Sequence, residues 1–166
     1  SDTVEGEAGD DSMFFIGANI AETIDVLANG NRVRFVRDIG NVTMDTAGLE
    51  RIDFQALGGA DLVNVGDLTG TDLAILQLDL QGAPGGGDGA ADRIVIDGTD
   101  GDDAIDVSGD SDVVKVSGLV PTVQILHTEF ANDRLEINTL DGTDTVVTDG
   151  LAAGAIQLFV DGVLVP

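Results

Sequence analysis

The chain contains no cysteine, no tryptophan and no tyrosine, a single histidine, three prolines, and seven basic residues against 31 acidic ones. Each shortage removes a class of chemistry. Without cysteine there is neither a disulfide scaffold nor a thiolate metal site, although the compartment stays open. With His127 as the one imidazole, zinc sites of the usual kind and histidine-based triads lack material, and His127 reads as a turn or surface residue. The missing Trp and Tyr leave poor surfaces for stacking sugars. A net charge of −24 repels nucleic acid and anionic membranes and concentrates cations. No apolar run approaches the ~18 residues of a membrane span. Ser1 brings neither an initiator Met nor a leader, so a processed form or a piece of a longer protein is expected.

What is present suits one domain of 166 residues: 43% of the residues are hydrophobic and 23 are glycine, enough for a core joined by many turns. Apolar residues alternate in Ile52/Phe54, Val63/Val65, Ile94/Ile96, Ile105/Val107, Val114/Val116, Val123/Ile125 and Leu135/Ile137. Period two predicts strands with one buried face. Gly, Asp, Asn, Ser and Thr separate them, as turns require. Long amphipathic helices are not expected, although Thr46 to Arg51 suits a brief helical turn. The Gly-rich run 82–91 reads as a solvent loop, or else as a linker between two domains.

A spaced pattern returns four times, an acid opening a strand-like run and Gly-x-Asp about ten residues later. It starts at Asp2 (with Gly9 and Asp11), Glu50 (Gly59, Asp61), Asp92 (Gly101, Asp103) and Asp133 (Gly142, Asp144). A coarser echo joins Ile24-Asp25-Val26 to Ile105-Asp106-Val107 and Gln77-Leu78 to Gln157-Leu158. A period of this size predicts stacked units sharing a core. The expected fold is therefore all-β, a β-solenoid of parallel β-helix type with about four units over residues 1–166. A β-sandwich is the competitor, but gives no reason for the same residues to return in register.

Stacked units would place Asp61, Asp103 and Asp144 in one column at a spacing of ~4.8 Å, with Asp11 joining. Such a column needs cations, raised pKa values or hydrogen-bond donors. Asp10, Asp100 and Asp102 add charge. Neighbouring glycines leave carbonyls accessible, an all-oxygen environment that suits Ca²⁺. The candidate ligands are Asp11 with Gly9, Asp61 with Gly59, Asp100, Asp102 and Asp103 with Gly101, and Asp144 with Gly142. The alternative is that Asp and Gly only make turns. A second column, Arg51, Arg93 and Arg134 beside Glu50, Asp92 and Asp133, would neutralise itself and set register.

Gly98-Thr99-Asp100-Gly101-Asp102-Asp103-Ala104-Ile105-Asp106 resembles the RTX (haemolysin-type) calcium-binding nonapeptide G-G-x-G-x-D-x-U-x, with Thr99 for the second Gly. Gly6 to Phe14 resembles it equally, with Glu7 as the departure, whereas the copies ending at Asp61 and Asp144 keep only G-x-D-x-U. Unlike tandem RTX repeats, these motifs stand singly. The resemblance implies a secreted or cell-surface bacterial protein in which Gly-turn carbonyls and the Asp carboxylate bind calcium.

These residues lead to a non-enzymatic, extracellular, calcium-binding structural or adhesive protein. End-to-end assembly is a further expectation, because Ile156–Val160 and Val163–Pro166 end the chain without a polar cap. The alternatives are a polysaccharide-active β-helix enzyme and an acidic solenoid with no specific metal.

Overall fold

The structure is a computed structural model and describes residues 1–83 and 85–166. It is all-β. Among the described residues sixteen strands form one nine-stranded and one seven-stranded mixed sheet, and no helix is long and apolar enough to cross a membrane. The alternation read from sequence sets the burial directly: β6 (Arg51–Leu57) and β8 (Ile75–Gly82) turn every second side chain into the core, as the two-residue pleat requires. The segment 46–51 holds no helical turn. It passes from β5 (Val42–Ala47) into β6, and among the described residues the one short helical element is a 3-10 turn at Ile39–Asn41. Within the Gly-rich segment Gln81 bridges Gly87, while Pro84 lies outside the described residues.

The chain passes back and forth between the sheets. The nine-stranded sheet holds, side by side and parallel, β3 (Thr23–Asn29), β7 (Leu62–Val65), β9 (Arg93–Asp97), β13 (Arg134–Asn138) and β15 (Gln157–Val160). The seven-stranded sheet holds β2 (Ser12–Ile16), β6, β8 and β12 (Thr122–Leu126) in the same way. Two antiparallel meanders interrupt this order. One runs β3, β4 (Arg32–Arg37), β5; the other runs β10 (Ala104–Gly109), β11 (Val113–Ser117), β12.

One set of pairings thereby occurs twice, in opposite sheets. In the first half β2 pairs β6, β6 pairs β8 and β3 pairs β7. In the second, β9 pairs β13, β13 pairs β15 and β10 pairs β14 (Thr145–Leu151). Ile24-Asp25-Val26 and Ile105-Asp106-Val107 fall in β3 and β10, the first strands of the two meanders, and Gln77-Leu78 and Gln157-Leu158 fall in β8 and β15. The halves join through β7 against β9 in one sheet and β8 against β12 in the other. Two short strands complete the larger sheet: β1 (Asp2–Glu5) beside β5, and β16 (Val163–Leu164) beside β15.

Between the sheets lies one core. In the first half Phe15, Phe35 and Phe54 meet across it with ring centroids 4.8 to 6.3 Å apart. Aliphatic side chains, including Ile94, Ile96, Ile105, Val116, Leu135 and Ile137, fill the second half.

Candidate functional site

The acids preceding the strands form hydrogen-bonded rungs between neighbouring strands. In the larger sheet the Glu22 N–H donates to Asp61 Oδ1 at 2.7 Å, the Asp61 N–H to Asp92 Oδ1 at 2.8 Å, and the Asp92 N–H to Asp133 Oδ1 at 3.2 Å. In the smaller sheet the Asp11 N–H donates to Glu50 Oε2 at 2.7 Å and the Asp103 N–H to Asp144 Oδ1 at 2.9 Å. Each rung closes with a backbone bond in the other direction: Leu62 N–H to the Glu22 carbonyl, Arg93 to Asp61, Arg134 to Asp92, Arg51 to Asp11 and Thr145 to Asp103. The strand's first amides have no earlier strand residue to meet, and the acid side chain supplies the acceptor, as at a helix N-cap.

These rungs regroup the expected columns. Asp61, Asp103 and Asp144 do not share a line: Asp61 stands with Glu22, Asp92 and Asp133, while Asp103 and Asp144 pair in the other sheet and Asp11 pairs with Glu50. The physical reason is the exchange of sheets between the halves, which brings the Gly-x-Asp acids of the first half beside the strand-opening acids of the second. Sequence reasoning missed Glu22. Its signal was the eleven-residue offset from Asp11, equal to those from Glu50 to Asp61, Asp92 to Asp103 and Asp133 to Asp144. The first copy thus begins at Asp11, not at Asp2.

The larger sheet's column is dry. Glu22, Asp61, Asp92 and Asp133 are each 3% exposed or less. Burial pushes Asp61 up to about 8, Asp92 to about 7 and Asp133 to about 6, and neighbouring carboxylates push the same way. The backbone donors pull back, but desolvation outweighs them. Glu22 at the end of the series accepts from Ala18 N–H at 2.7 Å and pairs with Arg37, which lies over the Phe15 ring. Asp88 accepts from Gly59 N–H at 2.9 Å, and Asp133 also accepts from Glu129 N–H at 2.6 Å.

The smaller sheet's acids are wetter and differently engaged. Both Asp103 oxygens face Thr99, Oδ2 accepting its N–H at 2.7 Å and Oδ1 its hydroxyl at 3.0 Å. Thr99, at the second-glycine position of the RTX-like run, thus ties down the aspartate. Asp102 Oδ1 accepts from Thr143 N–H at 2.8 Å, and Asp100 is exposed. Gly101 and Gly142 lie against each other on adjacent turns, where Gly142 has φ of 125° and a Cβ would strike the Gly101 carbonyl. Gly59, with φ of 114°, lies against the Ile20–Ala21 peptide, and Gly9 is exposed beside Asp11. Among the described residues two carboxylate oxygens, Asp11 Oδ2 and Asp61 Oδ2, are buried without a hydrogen-bond partner. Among the described residues no three acidic or histidine side chains are grouped to hold one metal ion.

The arginines divide between the sheets. Arg93 and Arg134 are register neighbours and both engage Glu136, Arg93 at 2.9 Å, with Arg134 also over the Phe159 ring. Arg51 bonds Asp53 at 2.8 Å and Gln77 at 2.6 Å in the other sheet. His127 follows β12 in a left-handed conformation, 2.8 Å from Asp79. Comparison of the chain with family models, with curated proteins and with solved structures finds no match.

Proposed function

We propose that this chain is a non-enzymatic structural or adhesive β-solenoid module that binds calcium, in a secreted or bacterial cell-surface setting. The observation that carries the structural part is the series of acid-to-amide rungs, which commits the most buried acids to holding neighbouring strands together. A chain that shuttles between two sheets while adding parallel strands supports the solenoid reading. The setting rests on the RTX-like runs at 6–14 and 98–106.

Calcium takes about six to eight oxygen ligands. Asp11 Oδ2 and Asp61 Oδ2 are hard donors of the right kind, buried and otherwise unpartnered, and Asp92, Glu22 and Asp88 add negative charge around Asp61. A bound ion would supply the positive charge these oxygens lack and would stabilise only the folded state, which assembles them. The acidic solenoid without specific metal is favoured by the same Asp61, because a group raised to about 8 holds a proton near neutrality and needs no ion.

Thermal melting at pH 8 in Ca²⁺, Mg²⁺ and EDTA tests the choice. The calcium reading expects a rise in Tm with Ca²⁺ that Mg²⁺ does not reproduce. Equal melting in all three removes calcium and leaves the proton. Incubation with uronic-acid polymers in Ca²⁺ is expected to give no cleavage; cleavage would overturn the non-enzymatic reading.

A further inference from the structure

The join between the two halves is built from two edge pairs, and both kinds of edge recur at the ends of the molecule. In the larger sheet β7 meets β9, with Leu62 opposite Arg93 and Val63 opposite Ile94. By the recurring pairings β14 corresponds to β7 and β2 to β9; these are the two edge strands of the smaller sheet. The second join is β8 against β12, and its counterparts are β15 and β5.

We propose that a second copy of this chain docks end to end, β2 of one copy pairing in parallel with β14 of the other, so that the internal join is repeated between molecules. The register follows from the internal one: Thr145 opposite Ser12, Val146 opposite Met13, Val147 opposite Phe14. The missing rung would form at this seam, the Asp144 N–H meeting the Asp11 carboxylate as the Asp61 N–H meets Asp92 at 2.8 Å. Asp11 Oδ2 is buried and unpartnered in the single chain.

Apolar surface agrees with that placement. On β2, Phe14 and Ile16 are 62% and 53% exposed, and on β14 Val147 is 43% exposed, large side chains that the pairing sets side by side. Beside β14 an apolar groove of about 360 Å³ opens into the end of the core, lined by Leu151, Ile156, Leu158, Leu164 and Val165 among others. Met13 and Phe15 of the incoming β2 occupy positions corresponding to Ile94 and Ile96, which cover the core at the internal join.

Two strands must yield. β1 lies parallel to β5 as β8 lies parallel to β12, and its Val4, opposite Thr46, takes the place that Leu78 takes opposite Ile125. β1 is therefore a four-residue stand-in for a full strand, and β15 of the other copy replaces it. β16, two exposed residues on the other side of β15, gives way to β5. Docking is thus a strand exchange, slow in the intact chain and opposed by the charge of −24 until salt screens it.

This inference rests on the structural-module reading but not on its calcium, so the experiment is run in EDTA with high NaCl. The chain has no cysteine, and the full-length variants Ser12→Cys and Thr145→Cys are mixed under oxidising conditions. Adjacent strands satisfy disulfide spacing, and the heterodimer is expected at roughly tenfold or more above that from Ser12→Cys with Asn31→Cys, a difference of ~1.4 kcal/mol. Val4→Asp, which loosens β1, is expected to raise the yield and speed its appearance. Phe14→Pro removes an edge N–H that faces solvent in the single chain, a change edge strands tolerate, and is expected to abolish the excess while circular dichroism stays that of a folded chain. Equal yields from the two cysteine pairs, with sedimentation equilibrium showing monomers for both the parent and Val4→Asp, would overturn the proposal. Calcium-selective melting could still hold in that case, which separates the two failures.

Discussion

The two sheets receive the same eleven-residue acid spacing and treat it differently. In the nine-stranded sheet β7 lies directly beside β9, so Glu22, Asp61, Asp92 and Asp133 run on as one buried series. In the seven-stranded sheet the strands β8, β12 and β11 intervene, Ala74 and Pro121 precede β8 and β12, and the acids are left as two separate pairs near the edges. The same acid spacing thus gives a continuous buried column in one place and separate, more exposed pairs in the other. Neighbours in the sheet, not the motif, decide the electrostatics.

The sharpest way to break this contrast is to remove one acid from each column. Asp133→Ala strands the amides of Asp92 and Glu129, both buried or half-buried, and is expected to cost about 3–5 kcal/mol, since each orphaned donor costs about 1–3 kcal/mol. Asp144→Ala strands one partly exposed amide and is expected to cost about 1 kcal/mol. Urea denaturation compares the two, and equal losses would erase the distinction between the columns.

Acidity sharpens it further. Asp61, Asp92 and Asp133 have folded pKa values of about 8, 7 and 6 against 3.8 for the free side chain. The folded state binds more protons over that interval, so stability is greatest below about pH 4 for these groups and falls as pH rises to about 8. Repulsion among the many surface acids has the same sign, so the variants carry the test. Asp61→Asn keeps the Oδ1 acceptor without the charge and is expected to flatten the fall between pH 6 and 8.5 by on the order of a few kcal/mol. An unchanged slope in Asp61→Asn would refute the buried-proton account.

Smaller effects belong to the turns and the arginines. Gly59→Ala forces a Cβ into the Ile20–Ala21 peptide at φ of 114° and is expected to cost roughly 2–4 kcal/mol, against about 1 kcal/mol for Gly70→Ala, where the space is open. Glu136→Gln loosens its pairing with Arg93, itself half exposed, and is expected to cost no more than about 1 kcal/mol by thermal melting.

Much of the fold was legible because strand alternation and turn residues act locally: every alternating pair from Ile52/Phe54 to Leu135/Ile137 points its apolar members inward. The acid rungs were half legible. Spacing grouped Asp61, Asp103 and Asp144 as one column and Glu50, Asp92 and Asp133 as another, but which of them touch depends on the sheet each strand joins, a long-range property that no local spacing encodes. Glu22 was hidden because Glu replaces Asp and Ile20 replaces the glycine two residues before it, so only the offset from Asp11 marked it. Residues 2 and 11, read as one unit, separate: Asp2 begins β1 of the larger sheet, and Asp11 immediately precedes β2 of the smaller one.

All five rungs point one way along the chain: the amide of the earlier strand always donates to the carboxylate of a later one, 31 to 41 residues downstream. During synthesis, at about 5–20 residues per second, an emerging strand therefore waits some seconds for its acceptor. Where a strand assembles as it is made, its first amide finds a carboxylate only once the chain has passed through the sheets and returned, 31 to 41 residues later.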